Sequence, residues 1–132
     1  MNPIVVDTDL VSFYFKGDSR VHRYLAAWAG RRLVVSFMTI AALKLWAIIR
    51  AWGKPRIAQL EWFLNRHFVV HPADEQLCAS WANIVAEARA QGRKLETADA
   101  WVAATALSVG APLATHNSKD FAGISGLAVL IP

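Results

Sequence analysis

The chain has 132 residues, 55% of them hydrophobic, and 14 Lys and Arg against 10 Asp and Glu give a formal charge of +4. That length fits a single domain over 1–132, and so apolar a chain with only 18% charged residues excludes intrinsic disorder. Cys78 is the only cysteine, which excludes an internal disulfide framework and fits a reducing compartment.

Met1-Asn2-Pro3-Ile4 lacks the basic stretch and apolar run of a signal peptide, so a cytoplasmic protein is expected. Ile4-Val5-Val6 is a short β-branched run that reads as a buried strand ending at Asp7. A helix over 10–15 stops near Gly17, and Ser19 caps a second helix reaching 29, with Gly30 as its stop. Residues 33–35 read as strand two and 39–52 as a helix ended by Gly53. The stretch 33–52 is long enough to raise the question of a membrane span, but Lys44 falls near its centre, where a charge is costly. Pro55 opens a helix running to 66, residues 68–70 read as strand three, and 74–90 and 97–108 read as helices. Residues 113–114 and 127–131 read as the last two strands. The uncharged stretch 100–118 is broken by Gly110-Ala111-Pro112, so no membrane partner is expected. Short apolar strands alternating with helices predict an α/β fold with a mainly parallel sheet. In such sheets ligands sit outside the carboxyl ends of the strands.

That rule sorts the acidic residues. Asp7 and Asp9 follow strand one, Asn117 and Asp120 follow the strand at 113–114, and Glu96 and Asp99 open a helix at a spacing that shares one face. Separately, Asp9 reads as an N-cap, Glu96 and Asp99 as macrodipole partners, and Asn117 and Asp120 as turn residues. Asp7 ends an apolar strand with no cation beside it in sequence. Together they form a candidate oxygen-ligand cage for Mg²⁺ or Mn²⁺.

Charge is uneven. Residues 19–73 hold nine basic residues and one acidic, Glu61, for +8, while the remainder holds five basic and nine acidic, for −4. A basic middle beside acidic ends suits a protein that holds a polyanion while its carboxylates do something else; solvated helix faces are the plainer account.

Three segments resemble PIN-domain proteins, and among them the VapC toxins of type II toxin–antitoxin systems. Ile4-Val5-Val6-Asp7-Thr8-Asp9 resembles the family's opening motif. The run Thr97-Ala98-Asp99-Ala100-Trp101-Val102-Ala103-Ala104-Thr105-Ala106 resembles its third, and Leu113-Ala114-Thr115-His116-Asn117-Ser118-Lys119-Asp120-Phe121 its fourth. The resemblance implies a three-layer sandwich with a central, mainly parallel sheet flanked by helices. It further implies a Mg²⁺- or Mn²⁺-dependent endoribonuclease, dimeric and held inactive by a VapB-type antitoxin in a larger complex. Carried over by position, it makes Asp7 and Asp99 metal ligands and Asn117 a neutral ligand or water holder. Thr115 would line the site, Glu96 would support it, and Asp120 would shape the turn. Where the family carries a Glu on the helix after strand two, this chain has Ala42, in Ser36-Phe37-Met38-Thr39-Ile40-Ala41-Ala42-Leu43. An engineered exchange of a parent Glu and a naturally degenerate site are the two accounts of Ala42, and both imply weak metal binding and slow cleavage.

Six tryptophans, Trp28, Trp46, Trp52, Trp62, Trp81 and Trp101, all fall on predicted helices, where core packing is their ordinary role. The helical pair over 39–52 and 55–66 offers more apolar surface than one small domain needs. The resemblance implies that it grips the antitoxin through Trp46, Ile49, Trp52, Leu60 and Phe63, forming a groove. His67 and His71 are separated by strand residues, and with no cysteine nearby a zinc site is not expected. Two rivals remain. Asp7-Thr8-Asp9-Leu10-Val11 also resembles the opening of haloacid-dehalogenase-like phosphatases, and a non-catalytic RNA- or antitoxin-binding module would carry the same charges.

Overall fold

The computed structural model describes residues 2–132. Four strands, β1 (Pro3–Val6), β2 (Arg32–Ser36), β3 (Val69–His71) and β4 (Leu113–Ala114), form one sheet in the order β3-β2-β1-β4, and every pairing is parallel. Six helices flank it: α1 (Thr8–Lys16), α2 (His22–Trp28), α3 (Phe37–Ile49), α4 (Lys54–His67), α5 (Glu75–Ala90) and α6 (Thr97–Val109). Short 3-10 turns cover Ser19–Val21 and Ser118–Phe121.

The two-residue period of a strand divides the core. Ile4 and Val6 of β1 join Val35 and Ala114 in a layer with α1, α2, α3 and α4. Val5 joins Val34 and Leu113 in a layer with α5 and α6. Strands buried on both faces read as continuous apolar runs, which is why β1 and β2 are legible as Ile-Val-Val and Leu-Val-Val. The result is the expected helix–sheet–helix sandwich.

Several boundaries differ from expectation. The segment 127–131 is not a strand: Val129 makes an isolated bridge to Leu113, with Leu113 N donating to Ala128 O and Leu130 N to Leu113 O. Asp18, not Ser19, caps the turn before α2, because its carboxylate accepts from Arg20 N while also pairing with the Arg20 guanidinium. The helix predicted over 39–52 starts earlier, where Ser36 Oγ accepts from Met38 N, and ends at Ile49. Ala51 then takes a left-handed conformation, φ 52°, and Trp52 lies in the connection rather than on a helix. No helix among the described residues is long and apolar enough to cross a membrane.

Candidate active site

The parallel sheet delivers β1 and β4 side by side, so the residues leaving their carboxyl ends meet. Asp7 is buried, and both of its oxygens are held. Oδ1 accepts from Thr8 N at 2.7 Å, and Oδ2 accepts from Thr115 Oγ1 at 2.7 Å. The N-cap of α1 is therefore Asp7, not Asp9 as the sequence suggested. Thr115 is itself fixed, its hydroxyl accepting from Asn117 N at 3.1 Å and its carbonyl accepting from Tyr24 Oη–H at 3.1 Å.

Asp9 reaches across to the same turn. Its Oδ1 accepts from Leu10 N, while Oδ2 accepts from His116 N and from Asn117 Nδ2, each at 3.1 Å. Asn117 thus has its amide nitrogen committed to Asp9. Asp99 enters from the first turn of α6, half-buried, with Glu96 exposed just before it and Asp120 exposed on the 3-10 turn. From α3, Thr39 contributes a buried hydroxyl 2.9 Å from Thr8 Oγ1. Ala42 lies one turn further along α3, half-buried, and offers only a methyl group.

The carboxylates repel one another. Burial, then the charge of Asp9, pushes Asp7 from 3.8 up to about 6, against the pull of its hydrogen bonds to Thr115 and Thr8. Burial, then Asp7, Asp120 and Glu96, also pushes Asp99 up to about 6. Asp9 is raised chiefly by burial. Among the described residues the one ion pair is Arg20–Asp18, so no Lys or Arg stands within ion-pair distance of this cluster. By chemistry the donors suit a hard divalent cation, being carboxylates, hydroxyls and an amide. By number they fall short: among the described residues no three His, Cys, Asp or Glu side chains stand together as a metal site. Position 42 lies on the helix bonded to the site through Thr39, and its methyl group brings no oxygen there.

The PIN-domain profile matches residues 4–127. Ribonuclease VapC1 of Haemophilus influenzae strain R2866 is 33% identical over 128 residues, 93% of this chain and 92% of its own. The chain belongs to the PIN-domain family, among its VapC members. VapBC-1 from nontypeable Haemophilus influenzae superposes on this PIN domain with a TM-score of 0.82 at 27% identity, covering 97% of this chain and 96% of that one. VapBC2 from Rickettsia felis, in a structure bound to a promoter DNA fragment, shares the fold at TM-score 0.82 and 18% identity, with 97% of each chain covered. A haloacid-dehalogenase reading of Asp7 loses its ground, since the family match spans nearly the whole chain and both Asp7 oxygens are held by hydrogen bonds.

The helical pair of this PIN domain is α3 with α4, and it divides its apolar residues sharply. Leu60, expected on the partner surface, is instead 3% exposed in the core, as is Leu64 at 9%. Trp46, Trp52 and Phe63 are half-buried against the core, whereas Ile49 is 69% exposed. A hollow of about 480 Å³ is lined by Phe15, Pro55, Ala58, Gln59, Trp62 and Phe63. Trp62, exposed at 62%, belongs to it. Its signal was present in the sequence: 55, 58, 59, 62 and 63 recur at helical spacing, on a stripe distinct from the core positions 60 and 64. Sequence reasoning missed the Thr8–Thr39 contact and the Tyr24 bond to Thr115, which join residues far apart in the chain.

Proposed function

We propose that this VapC-type PIN domain is the toxin of a type II toxin–antitoxin pair, a cytoplasmic endoribonuclease dependent on Mg²⁺ or Mn²⁺ and weakened by Ala42. The observation that carries this reading is the set of mutually repelling carboxylates, Asp7, Asp9, Asp99 and Asp120, none of them ion-paired, at the carboxyl end of a parallel sheet. Its support is the likeness to relatives named ribonuclease VapC.

Asp7 and Asp99 are the residues to hold the metal. When bound, it would offset their repulsion, polarise a phosphoryl oxygen and ease the deprotonation of water. Thr115 orients Asp7 through its hydroxyl. Asp9 fixes the 116–117 turn by accepting from His116 N and Asn117 Nδ2, which would leave the Asn117 side-chain oxygen to hold water. Glu96 and Asp120 add negative charge around Asp99. A Glu at 42 supplies the missing ligand. The test is Ala42→Glu assayed on labelled RNA with and without Mg²⁺ or Mn²⁺; a gain of metal-dependent cleavage is expected, and a purely binding module would show none.

The partner of the α3–α4 pair is an amphipathic segment of a VapB-type antitoxin laid into the hollow around Trp62 and Phe63. The cations support an acidic character for that segment. Arg50 stands over the Trp46 ring, Arg56 over Trp52 at 4.4 Å, and Arg66 over Trp62. Leu45, Ile48 and Ile49, exposed at 53%, 75% and 69%, lie outside the hollow and suit a second copy of the chain, giving a homodimer within the larger complex.

A further inference from the structure

Five cations lie outside residues 19–73: Lys16, Arg89, Arg93, Lys94 and Lys119. The fold brings four of them to one side of the carboxylate site. A hollow of about 400 Å³ is bounded by Arg93, Lys94 and Lys119 on one hand and Glu96, Asp99 and Asp120 on the other. A second hollow, of about 410 Å³, continues from it, sharing Arg93 and Lys94 and adding Arg89 and Trp81. None of the four cations is ion-paired among the described residues. Arg93 is half-buried, and a Cβ at Gly123 would come within 2.9 Å of its guanidinium, so the bare backbone there leaves it room.

Trp81 lines the second hollow. One face of its ring stacks on Trp101 at 4.8 Å and 17°, and Trp101 in turn packs edge-on against Phe37 of α3. Its indole N–H is buried and has no hydrogen-bond partner among the described residues. An unpaired buried donor is uncommon in a folded chain, and this one belongs to a ring that lines the hollow. Meanwhile, five arginines of the basic middle segment, Arg20, Arg23, Arg50, Arg56 and Arg66, lie over aromatic rings.

We propose that Arg89, Arg93, Lys94, Lys119 and Trp81 form the track that holds the single-stranded RNA flanking the scissile phosphate, with the cations on successive phosphates and Trp81 against a nucleobase. Resting on the ribonuclease reading, this assigns strand-holding to the α5–α6 side of the site rather than to the basic middle segment. A cationic path ending in an aromatic platform is the combination that binds single strands without sequence preference, and hollows of this size match ordinary ligand sites.

The test uses the chain as it stands, with Ala42, and a short labelled single-stranded RNA, whose affinity is measured against salt concentration. Each of Arg93→Gln, Lys94→Gln and Lys119→Gln is expected to lower the slope of log affinity on log salt by about 0.7. Arg32→Gln, an equal charge change at the amino end of β2, is expected to leave it unaltered. Trp81→Leu is expected to weaken binding about fivefold or more, with Trp81→Phe recovering most of the loss. If the Gln variants keep the parent slope while an Ala42→Glu form still cleaves RNA, the track is wrong and the ribonuclease reading stands. If neither binding nor cleavage is found, both fall. If Trp81→Leu changes the oligomeric mass and not RNA affinity, its hollow is covered by protein and the base platform is wrong.

Discussion

Asp7 is held between burial and a neighbouring like charge, which raise its pKa, and two hydrogen bonds, which lower it. The sign of its effect on stability follows. A carboxyl raised from 3.8 to about 6 binds more protons folded than unfolded in that interval, so its stabilising contribution is complete below about pH 4 and is lost as pH rises through 6. For Asp7 alone the loss is on the order of 3 kcal/mol. Urea unfolding across that range is therefore expected to show stability falling as pH rises, and Asp7→Asn to flatten the dependence. Thr115→Val removes the hydroxyl that both donates to Asp7 and accepts from Asn117 N. It is expected to cost about 1–3 kcal/mol in the same measurement and to raise Asp7 further. At this scale the place of Asp7 at the end of an apolar strand was legible in the sequence, but its part as the N-cap of α1 was not. Asp9 was misread as a helix cap because its partners, His116 and Asn117, lie more than a hundred residues away in sequence, and no local pattern encodes that bond.

Among the elements, α4 shows two faces with different duties. Leu60 and Leu64 face the core, while Pro55, Ala58, Gln59, Trp62 and Phe63 border the hollow. Leu60→Ala is expected to destabilise the fold by about 2–5 kcal/mol in urea unfolding. Trp62→Ala is expected to stay within about 0.5 kcal/mol yet to weaken antitoxin binding in a titration; equal behaviour of the two variants would contradict this division. The buried strands β1 and β2 were legible as unbroken apolar runs, α1 and α5 as segments with glycine stops, and α6 as an Ala-rich run ended by Gly110. Residues 127–131 carry the same apolar signature, but only Val129 bridges to β4, so composition alone overstated them. The early start of α3 turned on the Ser36 side chain bonding Met38 N, a cap visible in the sequence and passed over.

For the whole molecule, the formal charge of +4 averages surfaces with opposite work. The basic middle segment largely dresses aromatic rings around α1, α2, α3 and α4, whereas Arg93, Lys94 and Lys119 border the carboxylates and Arg89 lines the adjoining hollow. The apolar excess that first raised the question of a membrane sits on exposed Leu45, Ile48, Ile49 and Trp62. The parallel three-layer fold was legible from strand–helix alternation, and so was the gathering of acidic residues at the strand carboxyl ends. The division of the charges was not, because it depends on which helices the sheet brings together. The site is proposed to be that of a metal-dependent ribonuclease short of one carboxylate at position 42. The most direct measurement is RNA cleavage by Ala42→Glu beside the parent chain, with Mg²⁺ or Mn²⁺ and with chelator. Cleavage that appears with the Glu, requires the metal and disappears on adding Asp99→Asn is the predicted result; an Ala42→Glu chain that folds and leaves RNA intact at every metal concentration would contradict it.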